Sequence, residues 1–127
     1  MIVGLGIDLV SITRMKKILA QPWAGRFMRR VFTPEEIAQT ASSPKPEEAL
    51  AAGFAIKEAA VKALGTGFSG GISPNQIIVT RGMNRKPSIV LSSTAQQVAL
   101  SMGIKNISVS VSHTCGMASA IVIMETT

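Results

Sequence analysis

The chain has 127 residues, 46% of them hydrophobic and 16% charged, with a mean hydropathy of +0.35; that is the size and apolar content of one compact domain and excludes a disordered tail. A single cysteine, Cys115, excludes an internal disulfide, and together with a single histidine it excludes a Cys/His zinc site, which takes four ligands. Thirteen Lys and Arg against seven Asp and Glu leave a net charge of +6, so the expected partners are polyanions: nucleic acid, phosphorylated small molecules, an acidic membrane or an acidic protein.

Residues Ile2 to Val10 read as a short buried strand, with glycines where another backbone comes close and a lone carboxylate, Asp8, near its end. A helix follows from Ser11, with Ile12, Met15, Ile18 and Leu19 on one face and a basic opposite face, until Pro22 interrupts it. Thr33-Pro34-Glu35-Glu36 sets a capping residue, a proline at the first helical position and a glutamate at the third, which starts another helix. Ala41 to Pro46 reads as a loop. The longest helix signal runs from about Glu47 to Leu64 and stops at Gly65, where a left-handed cap is favoured. Apolar residues cover more than one of its faces, so most of it is expected to be buried.

After a glycine-rich loop from Gly65 to Asn75, strands at Gln76 to Arg81 and Ser88 to Leu91 form a hairpin, and Ser93 to Ser101 is helical. Asn106 to Ser112 and Met117 to Met124 complete the chain as two more strands. No repeat or low-complexity segment occurs. The expected architecture is a single α+β domain over residues 1–127, a mainly antiparallel sheet packed against one long central helix. No apolar run is long enough to cross a bilayer, and the N-terminus carries neither a basic leader nor a long apolar segment, so an unexported protein in the reducing cytosol is expected.

Charge is segregated. Six basic residues lie between Arg14 and Arg30, and no acidic residue lies between Asp8 and Glu35. Nucleic-acid binding by this stretch would want stacking aromatics, and it holds only Trp23 and Phe27; an acidic protein is the sharper expectation, with a solvated helix face as the plain one.

Chemistry concentrates in the long helix, where Lys57, Glu58 and Lys62 are the only charges between Glu48 and Arg81. Glu58 and Lys62 share a face, whereas Lys57 lies about 100° away. They read either as an ordinary stabilising pair or, with Asp8, as two isolated carboxylates able to hold a hard cation such as Mg²⁺. Gly65 to Gly71 is not a phosphate loop, because that motif precedes its helix and ends in Gly-Lys-Ser/Thr. His113 and Cys115 would share one side of a strand, but no orienting acid or oxyanion loop accompanies them, so His113 is read as a hydrogen-bonding residue.

Taken together, Gly4-Leu-Gly-Ile-Asp8-Leu-Val, Phe54-Ala-Ile-Lys-Glu58-Ala-Ala-Val-Lys62-Ala-Leu-Gly-Thr-Gly67 and Val109-Ser-Val-Ser-His113-Thr closely resemble the small-subunit class of 4′-phosphopantetheinyl transferases, the holo-acyl-carrier-protein synthase family, from Met1 to Ile123. The resemblance implies a Mg²⁺-dependent transfer of the phosphopantetheine arm of coenzyme A to a serine of apo-acyl carrier protein, for fatty acid biosynthesis. It implies Asp8 and Glu58 as metal ligands, Lys62 at the leaving phosphate, and either Glu58 or a water on the metal as the base. Coenzyme A contacts are implied for Lys57, Lys62, Gly65, Thr66, Arg85, Lys86, Pro87 and His113, and carrier-protein docking for Arg14, Arg26, Phe27 and Arg30.

The resemblance further implies a homotrimer in the cytoplasm with sites between subunits, Asp8 coming from one chain and the Lys57 helix mainly from the next, and neither nucleic acid nor membrane as partner. Three positions depart from the family pattern: Gly53 stands where many members carry arginine, Arg85-Lys86-Pro87 replaces Gly-Lys-Pro, and Met117 replaces an aromatic. A basic nucleic-acid-binding module, or a family member that binds carrier protein without converting it, are the alternatives.

Overall fold

In the computed structural model, which describes residues 1–127, the chain runs β1 (Ile2–Ser11), α1 (Ile12–Leu19), α2 (Ala24–Val31), α3 (Pro34–Ala41), α4 (Pro46–Leu64), a 3-10 turn at Pro74–Gln76, β2 (Ile77–Arg81), β3 (Pro87–Leu91), α5 (Ser93–Ser101), β4 (Asn106–Thr114) and β5 (Met117–Glu125). All strand pairing is antiparallel, but it forms two sheets, β1-β5-β4 and β2-β3. The first and last strands are therefore hydrogen-bonded neighbours, with Asp8 opposite Ala120.

The α+β expectation holds, and α4 is the centre. Pro46 sits in its first turn with Glu47 and Glu48, Lys62 is in its last turn, and Gly65 closes it with φ of +80°, so charge favours the helix at both ends, the proline its start and the left-handed glycine its stop. Twelve of its nineteen residues are buried, which is why alanine fills it: small side chains let β1, β5 and β2 approach its axis. One apolar cluster joins α4 to β2, β5 and α5, and a second, around Met15, Phe32 and Leu50, joins α1 and α2 to its N-terminal half. No helix is long and apolar enough to cross a membrane.

Two expectations need correction. The strand β1 is not buried on both faces: Leu5, Ile7 and Leu9 are 61–64% exposed, because alternate residues point away from α4 and nothing in this chain covers them. The basic stretch contains a helix, α2, that sequence patterning does not show; Trp23 stands at its N-cap without a side-chain cap bond. By contrast, Thr33 and Glu36 form the expected capping box at α3.

Candidate active site

Gly4, Gly6 and Asp8 are two residues apart on β1 and share the face toward α4. A Cβ on Gly6 would overlap the Ala59 carbonyl oxygen, and one on Gly4 would overlap that of Ala63. The glycines thus let the strand lie directly on the helix, and Asp8, the next residue on that face, arrives beside Glu58 and Lys62. Lys62 Nζ donates to Asp8 Oδ1 at 2.9 Å and to the Ile7 carbonyl at 3.0 Å. The Glu58 pKa is raised, first by burial and then by the negative charge of Asp8, with Lys62 opposing.

Asp8 and Glu58 line one cavity of about 600 Å³ together with Arg14, Phe27, Phe54 and Met117. The structure therefore brings both proposed metal ligands and two of the proposed docking residues to one opening, while Arg26 and Arg30 stay exposed on α2. No cluster of three or more His, Cys, Asp or Glu side chains exists. Two mutually repelling carboxylates supply hard oxygen donors to a single cation, a set that suits Mg²⁺ completed by waters and substrate phosphate.

Lys57 does not belong to this opening. It is fully buried, and Nζ donates to Glu36 Oε1 at 2.9 Å, the Pro74 carbonyl at 3.0 Å and the Ile77 carbonyl at 2.6 Å. Its three donors are used, so it has none for coenzyme A. Glu36, read from sequence only as a capping residue, also accepts from the backbone N–H groups of Thr33 and Val79. No sequence signal pairs it with Lys57, because the two are 21 residues apart.

The remaining predicted contacts fall at opposite ends of α4. His113 Nδ1 is 2.8 Å from Glu48 Oε1 in the first turn, and both line a second cavity, of about 550 Å³, with Arg81, Arg85 and Gly53. Gly65 and Thr66 follow the last turn, about 26 Å along the axis from Glu48 at 1.5 Å per residue. One nucleotide cannot touch both groups within one chain. Lys86 is exposed, and Pro87 opens β3 opposite Arg81. Cys115 lies in the turn after β4 with φ of +51°, not on the strand beside His113.

The division of the metal ligands between subunits is overturned: Asp8 meets Lys62 within one chain. A family model described as 4′-phosphopantetheinyl transferase superfamily matches residues 4–118. The chain belongs to this superfamily. Among its relatives, the holo-(acyl-carrier-protein) synthase of Desulfovibrio desulfuricans is 42% identical over 98% of both chains, and that of Solibacter usitatus is 37% identical over 98% of this chain and 99% of its own.

Solved synthases of the superfamily share the fold closely. The enzyme of Neisseria meningitidis superposes with a TM-score of 0.89 at 33% identity, covering 98% of this chain and 99% of its own. That of Helicobacter pylori, solved in complex with coenzyme A, gives 0.83 at 31% identity over 95% and 99%. Of the three positions singled out in the sequence, Gly53 and Arg85 line one cavity and Met117 the other.

Proposed function

We propose that this chain is a holo-acyl-carrier-protein synthase, transferring the 4′-phosphopantetheine arm of coenzyme A to a serine of apo-acyl carrier protein and releasing adenosine 3′,5′-bisphosphate. The observation that carries the reading is that Asp8 and Glu58 line one opening while Lys62 donates to Asp8, in a chain whose synthase relatives match it over nearly its whole length. A role in fatty acid biosynthesis and a cytoplasmic setting belong to the same proposal.

Asp8 and Glu58 would hold Mg²⁺. When bound, the ion neutralises charge on the pyrophosphate of coenzyme A and orients it. The serine oxygen attacks the β-phosphorus, forming one P–O bond as the phosphoanhydride P–O bond breaks and its electron pair leaves on the bisphosphate. Lys62 stabilises that leaving oxygen with its ammonium. The serine proton passes to Glu58 or to a water at the site.

The basic faces of α1 and α2, with Arg14, Arg26 and Arg30 around the half-buried Phe27, suit docking of an acidic carrier protein. Copies of the chain meet through the uncovered face of β1, where Leu5, Ile7 and Leu9 present apolar surface, as a homotrimer. The separation of His113 and Arg85 from Gly65 and Thr66 supports nucleotide sites shared by neighbouring subunits.

The test is release of adenosine 3′,5′-bisphosphate, followed by chromatography. The reading predicts release only when coenzyme A and apo-carrier protein are both present, in step with carrier modification. The nucleic-acid alternative predicts salt-sensitive duplex binding that is indifferent to Glu58→Gln, and a binding-only member predicts a carrier complex without release.

A further inference from the structure

The two buried charged residues of the chain, Lys57 at 0% exposure and Glu36 at 6%, take no part in the transfer chemistry proposed above. What they hold is the backbone of β2. Glu36 Oε2 accepts from the Val79 N–H at 2.7 Å, and Lys57 Nζ donates to the Ile77 carbonyl at 2.6 Å and to the Pro74 carbonyl at 3.0 Å. Glu36 Oε1 joins the two halves, taking the Lys57 ammonium at 2.9 Å and the Thr33 N–H at 2.8 Å.

Ile77 and Val79 are two residues apart, so their backbone groups point to the same edge of the strand. The opposite edge belongs to β3, toward which the Gln76 carbonyl accepts from the Ser92 N–H at 3.0 Å. No third strand joins this sheet, so the edge of Ile77 and Val79 would otherwise carry unpaired, buried backbone groups. The ion pair completes it with side chains: a carboxylate takes the place of a strand carbonyl at Val79, and an ammonium that of a strand N–H at Ile77. A two-stranded hairpin is marginal by itself, and here its inner end is fixed to α4 through Lys57 and to α3 through Glu36. The turn from Gly82 to Lys86 begins about 10 Å beyond Val79 at the rise of an extended strand, so a tilt at the bonded edge is carried to the turn.

We infer that Lys57 and Glu36 are positioning residues for the co-substrate: their pair closes the free edge of β2 and sets the β2–β3 hairpin at one angle to α4, the angle at which its turn meets coenzyme A. The inference rests on the transfer reaction proposed above, with the coenzyme A contacts expected for Arg85, Lys86 and Pro87. The transfer centre does not depend on this edge, because Asp8 reaches Lys62 through the close packing of Gly4 and Gly6 on α4.

The double replacement Lys57→Met with Glu36→Gln separates positioning from stability. It buries no unpaired charge, methionine follows the unbranched path of the lysine, and glutamine keeps the capping box at α3; the fold is kept, while the Val79 N–H and the Ile77 carbonyl lose their charged partners. Amide hydrogen exchange on the intact wild type should show Val79 as protected as Ala59 in α4, and in the double variant Val79 should lose that protection while Ala59 keeps its own. Steady-state kinetics well below the melting temperature should show the KM for coenzyme A raised about 10-fold, with kcat and the KM for carrier protein nearly unchanged. A wild-type KM for coenzyme A in the folded variant, an equal loss in both KM values and kcat, or an unprotected Val79 amide in the wild type overturns the positioning role. If the wild type transfers nothing, the transfer reading alone fails; exchange, together with the calorimetric affinity for adenosine 3′,5′-bisphosphate, which the variant should weaken by the same factor, then decides the positioning role.

Discussion

Lys62 Nζ stands 2.9 Å from Asp8 Oδ1, tying the last turn of α4 to the strand that opens the chain. The lysine is 50% exposed and the aspartate 16%, so this pair contributes at most about 1 kcal/mol to stability. At the proposed transfer site its weight would lie in catalysis instead. Lys62→Met is expected to reduce turnover about 10²-fold to 10³-fold while the urea midpoint barely moves. Parallel kinetics and denaturation check this; a large stability loss would make the pair structural.

Glu58 opposes folding in the absence of metal. Its folded pKa lies above the ordinary value of 4.5, so the folded state holds the proton more tightly than the unfolded state. That contribution to stability is full below pH 4.5 and is lost as pH rises through the folded value. In chelator at neutral pH, Glu58→Gln should raise Tm while abolishing turnover, and the Tm difference should vanish in acid. Thermal melts across pH check the sign.

The buried pair of Lys57 and Glu36 joins α4, α3 and β2. Burial lowers the Lys57 pKa, with Glu36 opposing through its charge and its hydrogen bond, so the ammonium depends on its partner. Glu36→Gln should cost about 3 kcal/mol, as removal of one member of a buried pair does, measured by urea denaturation. A loss below about 1 kcal/mol would show that water reaches the site.

Arg14 is exposed at the mouth of the cavity that holds Asp8 and Glu58. Arg14→Glu should raise the KM for carrier protein roughly 10-fold and flatten the salt dependence of the rate, with the KM for coenzyme A nearly unchanged. A matched rise in both constants would assign Arg14 to the nucleotide site.

The proposed metal-ligand pair stood out in the sequence because Asp8 and Glu58 are charges stranded in apolar segments, and Gly4 and Gly6 marked a close strand approach; that the two carboxylates meet is decided by the fold. The capping box of Thr33 and Glu36 and the stop at Gly65 were legible because local hydrogen bonds and backbone conformation decide them. Lys57 was misread because its partners, Glu36, Pro74 and Ile77, come from distant segments, and motif position says nothing about which way a side chain turns. The helix α2 was missed because Trp23 is no capping residue and the pattern there is dominated by arginine. The exposed face of β1 was hidden for a different reason: Leu5, Ile7 and Leu9 look the same in sequence whether their cover is this chain or another copy of it.

The central claim is that Asp8, Glu58 and Lys62 of one chain carry a metal-dependent transfer. Its most direct test is intact-mass spectrometry of apo-acyl carrier protein after incubation with the wild type and coenzyme A, with Mg²⁺ and then with excess chelator, alongside Glu58→Gln. The account predicts complete conversion to the phosphopantetheine adduct with Mg²⁺ and none with chelator or with the variant. An adduct formed equally in chelator, or by Glu58→Gln at the wild-type rate, would contradict it.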